Sequence, residues 1–359
     1  MAKRAIHQLL AGYSNGDAIS NEARTLRSWF QKWGFESEIY CEASRILPEL
    51  RKTSRDVSTL LEDVNADDVV MLHLSIGSDV NDILPQLKCK TVIRYHNVTP
   101  EGYFRALDEH LAGLLAKGRV QMKALAGVAD LNLAVSSYNA SELTEAGYED
   151  TRVLPLALEL RRLDAKPNRE VIEKYNDGKI NVLFVGRCVP NKRLEDLLYA
   201  FYYLQKFQTP NCRLIHVGSF AGAEAYLAML QSLKRELGLE HVNFVGSVPE
   251  ADLCAYYQVA DLFLCMSEHE GFGIPLLEAM QAELPVMAYA SSAVPETMAG
   301  AGFLFEEKIF DELAAWIPRL AGEGPLRQEI LAGQGRRLQA YDAQDIEGTL
   351  RELLRPLIG

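Results

Sequence analysis

The chain has 359 residues, 48% of them hydrophobic and 24% charged, with a formal net charge of −12. That length exceeds one ordinary hydrophobic core and predicts two domains, and the acidic balance excludes nucleic acid as a main partner, since phosphate binding draws on excess Lys and Arg. No stretch approaches the roughly 18 apolar residues of a membrane span, and the N-terminus lacks the apolar segment of a signal peptide.

In chain order, strands are predicted at 5–10, 36–40, 69–74, 91–95 and 131–135, with helices at 21–33 and 103–126 between them. The polar, irregular stretch 164–179, with Pro167, Asn168 and Gly178, reads as a linker. Alternation restarts with strands at 180–185, 213–217, 242–245, 262–266, 285–290 and 302–304 and a helix at 194–207. The tail 345–357 is a further helix whose apolar side needs a surface. Short apolar strands alternating with helices imply parallel sheets covered on both faces, so the fold class is α/β with two Rossmann-like domains in tandem. Ligands of such sheets bind beyond the carboxyl ends of the strands, which predicts a shared site in the cleft between the domains. Six cysteines (41, 89, 188, 212, 254 and 265) show no metal-ligand spacing and read as reduced core thiols of a cytoplasmic protein.

The most informative stretch is Ser267-Glu-His-Glu-Gly-Phe-Gly-Ile-Pro-Leu-Leu-Glu278. Pro275 suits the first turn of a helix, and Gly271 and Gly273 allow a tight loop before it. Free N–H groups at that helix start attract an anion, and Glu270 and Glu278 beside it suit the hydroxyls of a sugar. The competing reading is a plain helix start with an exposed Glu270 and a Glu278 favoured by the helix dipole. Arg187 and Lys192 follow Gly186 on a strand-to-helix loop, where two cations suit a diphosphate or form a solvated basic loop. Gly12 and Gly16 follow the first strand and could admit a ligand to the backbone, although the spacing is not that of a dinucleotide fingerprint. His96 ends the strand at 91–95, a ligand position in this fold as well as an ordinary structural one.

The run Gly186-Arg187…Lys192, Phe244-Val-Gly-Ser-Val-Pro249, Ala260-Asp-Leu-Phe-Leu-Cys-Met-Ser267 and Glu270-Gly-Phe-Gly-Ile-Pro-Leu-Leu-Glu-Ala-Met280 resembles the retaining glycosyltransferases of family 4. The resemblance is dense from about 180 to 304. Gly16-Asp-Ala-Ile-Ser-Asn-Glu22 and Tyr95-His-Asn-Val-Thr-Pro100 are similar to bacterial members that build O-antigen, lipopolysaccharide or exopolysaccharide chains. It implies a GT-B fold, with an acceptor-side domain at 1–163, a linker at 164–179, a nucleotide-sugar domain at 180–340 and a helix at 341–359 returning to the first domain. Arg187 and Lys192 would bind the donor diphosphate and stabilise the leaving nucleotide. Glu270, with the backbone of Gly271, Phe272, Gly273 and Ile274, would hold the donor sugar, and Glu278 the ribose. Val248 would meet the base, Gly12 and Gly16 would approach the diphosphate, and His96 would sit beside sugar and acceptor.

No metal and no cofactor are expected, since Arg187 and Lys192 take the electrophilic role and no D-x-D motif is present. The donor would be a GDP- or UDP-linked hexose, with a lean to GDP-mannose, and the acceptor a glycan or lipid-linked glycan. The alternatives are another GT-B chemistry, such as nucleotide-sugar 2-epimerisation, or an inactive homologue that binds a partner. Arg105, Lys117, Arg119 and Lys123 offer a peripheral contact with the inner membrane face, against the plainer reading of a solvated helix side. Three departures stand out. Arg193 replaces the family's Gly after Lys192, either as a third phosphate cation or pointing to solvent. Glu283 replaces a Gly at a left-handed cap, which predicts a remodelled loop. Pro155-Leu-Ala-Leu-Glu159 stands at the crossing between domains.

Overall fold

A computed structural model describes residues 4–157, 163 and 165–359. The chain divides into two compact units, the first built from 1–105, 109–158 and 345–359, the second from 106–108 and 159–344. Residues 158–162 and 164 lie outside the described ones, and with them fall part of the expected crossing at 155–159 and the start of the expected linker.

In the first unit the described strands are β1 (Ile6–Leu10), β2 (Ile39–Cys41), β3 (Arg55–Asp56), β4 (Val69–Leu74), β5 (Lys90–Tyr95), β6 (Leu131–Ala134) and β7 (Thr151–Val153). They form one parallel sheet in the order β3-β2-β1-β4-β5-β6-β7. Every residue of β1 and β4 is buried, as a strand covered on both faces requires. The helices are α1 (Ala18–Lys32), the single turn α2 (Leu60–Asp63), α3 (Glu109–Ala124), α4 (Ser137–Glu145) and, from the tail, α13 (Ile346–Ile358). Asp17 caps α1 by accepting from Ser20 N at 2.9 Å. Ala23, Leu26 and Phe30 then recur at helical spacing on its buried side. The tail helix uses Leu350, Leu354 and Ile358, four apart, to complete the core of Ile6, Leu26, Phe30, Met71 and Val92. Lys32 Nζ and Trp33 Nε1 each reach Glu347 at 3.0 Å and tie α1 to that helix.

In the second unit β8 (Ile180–Val185), β9 (Cys212–Val217), β10 (Val242–Gly246), β11 (Leu262–Cys265), β12 (Val286–Tyr289) and β13 (Phe303–Phe305) form a parallel sheet in the order β10-β9-β8-β11-β12-β13. Its helices are α5 (Arg169–Tyr175), α6 (Leu194–Tyr203), α7 (Glu224–Glu236), α8 (Glu250–Val259), α9 (Ile274–Gln281), α10 (Val294–Met298), α11 (Phe310–Ala321) and α12 (Pro325–Asp342).

Several expectations need correction. The stretch expected as a linker carries α5, which Asn168 caps through Glu170 N at 3.0 Å. The helix expected at 103–126 is a short turn at 101–103 followed by α3. The edge strands β3 and β7 went unforeseen because they are two and three residues long and half-buried or exposed. The six cysteines are free, and five are buried. Burial pushes the thiols of Cys41, Cys188 and Cys212 up to about 12, so they pack as small apolar groups.

Candidate functional site

In the second unit, three strands end on glycine: Val185-Gly186, Val217-Gly218 and Val245-Gly246. The need is steric at Gly218, where a Cβ would lie 1.8 Å from the Gly186 carbonyl. His216 fixes that carbonyl by donating Nε2–H to it at 2.9 Å, from among the rings of Phe184, Phe220 and Phe244. Burial lowers the His216 pKa to about 4 and keeps the ring neutral.

The loop leaving β8 therefore departs from a fixed point. Asn191 locks it to the loop leaving β11, donating Nδ2–H to the His269 carbonyl at 3.0 Å and accepting from Glu268 N at 2.9 Å. The second loop is anchored in turn, since Glu270 N donates to Ser292 Oγ and Ser291 Oγ donates to the Ser267 carbonyl, at 2.7 and 2.6 Å. These bonds bring Lys192 Nζ to 2.6 Å from Glu270 Oε1, both side chains largely enclosed at 17% and 12% exposure. Arg187 is exposed on the same loop and has no ion pair with the described residues. Gly273, at φ 91°, opens α9 in the left-handed region, and Pro275 occupies its first turn. Gly271 and Ile274 are half-buried, whereas Phe272 is buried against Tyr341 and its carbonyl accepts from Thr297. Val248 is half-buried in the turn before α8.

Three positions differ from expectation. Glu278 lies in the second turn of α9, is closed to solvent, and accepts from Tyr257 Oη at 2.9 Å. The reason is that α9 turns this face into the unit's core against α8. Arg193 does not point free into solvent. It spans Glu195, Asp196 and Glu268 at 2.9, 3.1 and 3.2 Å, a set that Lys308 completes from Asp196 and Glu268. Both Arg193 and Glu283 keep the left-handed backbone at φ 53°, so the loop at 283 is not remodelled.

In the first unit, Gly12 and Gly16 are exposed between β1 and α1, with open space around a Cβ at Gly16, whose φ is 73°. His96, just past β5, belongs to a buried polar cluster. Its Nε2 lies 2.8 Å from His73 Nδ1 and 3.5 Å from Glu22 Oε2. Glu22 pairs with Arg94 at 2.7 and 3.3 Å, both side chains 1% exposed. Burial alone would raise the Glu22 pKa, but Arg94 overrides it and holds the carboxyl at about 2. Glu22, His73 and Arg94 were missed from sequence. The available signal was a histidine and an arginine inside the apolar runs of β4 and β5, since a buried charge must be paired. Of the cations considered for a membrane face, Arg105, Lys117 and Arg119 pair with Glu101, Asp79 and Glu142. That favours the plain helix side. Among the described residues no helix is long and apolar enough to cross a membrane.

Residues 165–333 match the model of the family described as glycosyl transferases group 1. That stretch resembles this family. The chain is 29% identical over 195 residues to O-antigen chain mannosyltransferase B of Escherichia coli, covering 53% of this chain and 51% of that one. It is 29% identical over 198 residues to the GDP-mannose-dependent alpha-(1-6)-phosphatidylinositol monomannoside mannosyltransferase of Mycolicibacterium smegmatis, covering 52% and 50%. The chain thus spans about half the length of these curated relatives. The Anabaena protein Alr3699/HepE, solved with UDP and glucose, superposes with a TM-score of 0.73 at 18% identity over 98% of this chain and 100% of that one. The fold is GT-B, and the chain resembles the O-antigen glycosyltransferases.

Proposed function

We propose that this glycosyltransferase relative moves a hexose from a nucleotide sugar to a hydroxyl of a glycan or lipid-linked glycan, with retention of the α configuration and without a metal. The observation that carries the reading is the loop after β8, which holds both the exposed Arg187, without an ion pair among the described residues, and Lys192 in its pair with Glu270. Two cations there neutralise charge as the diphosphate leaves, a role in which interactions that strengthen as charge develops lower the barrier. Lys192 turns from Glu270 towards the diphosphate, and the released carboxylate accepts hydroxyls of the donor sugar. Backbone N–H groups at 271–274 add a partial positive charge at the start of α9. Glu278 orients Tyr257 and meets a ribose only after exchanging that bond. Gly12 and Gly16 admit the ligand to backbone in the first unit, and His96 attends the hydroxyls.

GDP-mannose is the preferred donor, in line with the mannosyltransferase relatives, with a UDP-hexose as the other candidate. The place of action is the cytoplasm. Proton NMR of the chain with GDP-mannose or UDP-glucose and a panel of mannose oligosaccharides tests the reading. An α-glycoside is expected, and Lys192→Ala should abolish it. Isomerised donor without any acceptor, or full activity in Lys192→Ala, would sink it.

A further inference from the structure

The cluster around His96 fixes where its protons sit. Gln8 donates Nε2–H to the Ala23 carbonyl at 2.9 Å, so its Oε1 must face His73 Nε2, 2.9 Å away. An amide oxygen only accepts, so His73 carries its proton on Nε2 and leaves Nδ1 bare. Bare Nδ1, 2.8 Å from His96 Nε2, requires a proton on that nitrogen. In a neutral His96 the remaining nitrogen, Nδ1, is then a lone-pair acceptor. Reversing the amide of Gln8 would set two acceptors against each other at Ala23 O, which cannot donate.

We propose that Gln8 and His73 form a positioning relay that locks His96 in the Nε2–H tautomer, so that His96 Nδ1 accepts a hydroxyl proton of the sugar or acceptor. This rests on the glycosyltransferase reading, which it deepens. Burial is the main cause that lowers His73 to about 4 and His96 well below the ordinary histidine value, so both rings are neutral at pH 7. The charged groups facing the pair are Glu22 from α1 and Arg94 from β5, which satisfy each other.

The same three residues, Glu22, His73 and His96, have ligand atoms within 4.8 Å of one another, as a metal site would. The carboxylate is already engaged, however, by Arg94 and by Ala157 N at 3.1 Å. A guanidinium at that distance repels a dication. Arg94 supplies the positive charge a metal would bring.

The test is long-range proton–nitrogen NMR of the full chain labelled with ¹⁵N-histidine, the two rings assigned with His96→Gln and His73→Asn. Neutral Nε2–H tautomers for both are expected. An Nδ1–H tautomer or a charged ring at His96, or ring shifts accompanied by stoichiometric metal in the purified chain, overturn the relay. In the transfer assay, His73→Phe should lower kcat roughly tenfold with donor KM unchanged. His73→Asn, whose side-chain oxygen replaces Nδ1 as acceptor, should restore most of it. Equal loss in both variants would also overturn the relay. If wild-type chain transfers no sugar, the functional reading falls, while the NMR result decides the tautomer separately.

Discussion

Lys192 and Glu270 hold each other at 2.6 Å, so a diphosphate must compete with the carboxylate for the ammonium. Removing that competitor while keeping shape should help a ligand that lacks a sugar. Glu270→Gln is therefore expected to tighten GDP or UDP by roughly fivefold, the equivalent of about 1 kcal/mol for a partly exposed pair. The same variant should transfer hexose more slowly, because the sugar loses its acceptor. Weaker nucleotide binding in Glu270→Gln, read by calorimetry, would show that Lys192 does not serve the diphosphate. The loop positions of Arg187, Lys192 and Glu270 were legible in the sequence because the short apolar strands before them mark where those loops begin. Burial of Glu278 was not, since its partner Tyr257 lies on another helix and no local pattern announces the bond. Arg193 was ambiguous for the same reason: its three carboxylate partners include Glu268, far along the chain.

At the scale of elements, Glu283 shows a local rule broken without rearrangement. It sits at φ 53° after α9, where a side chain costs about 1 kcal/mol relative to glycine. Glu283→Gly should raise the unfolding free energy by about that amount in urea titration, and a neutral or negative change would deny the strain. The tail helix was legible as amphipathic but not its seat, which depends on apolar residues of α1 and the sheet hundreds of positions earlier. Leu354 is fully buried there, so Leu354→Ala should destabilise the first unit by about 2–5 kcal/mol. Trp29 and Trp33 pack on that core and report the transition by fluorescence. Nucleotide binding in the second unit should be unchanged, and loss of it would mean that the helix does more than close the first core. Strands β3 and β7 stayed illegible because edge strands this short carry no apolar run.

For the whole molecule, alternation of strands and helices disclosed two parallel sheets, but not their strand orders, because short buried parallel strands read alike. Buried neutral histidines set the pH response. His73 and His216, held at about 4, and His96, held well below 6.5, bind fewer protons folded than unfolded. Stability from this source is complete above pH 6.5 and is lost as pH falls towards about 4. Glu22, at about 2 against 4.5, adds a loss only below pH 4.5. The thermal midpoint should therefore hold above pH 7 and drop between pH 6.5 and 4.5. A flat profile in that window would contradict neutral buried rings. The central claim, a diphosphate site built from Arg187 and Lys192 that works without metal, is tested most directly by calorimetric titration of GDP and UDP in EDTA into wild type and Arg187→Ala. The prediction is binding of at least one of the two in EDTA, weakened by roughly tenfold or more in the variant, as expected for a lost charge-assisted hydrogen bond. No binding of either nucleotide, or binding that appears only with added divalent metal, would contradict it.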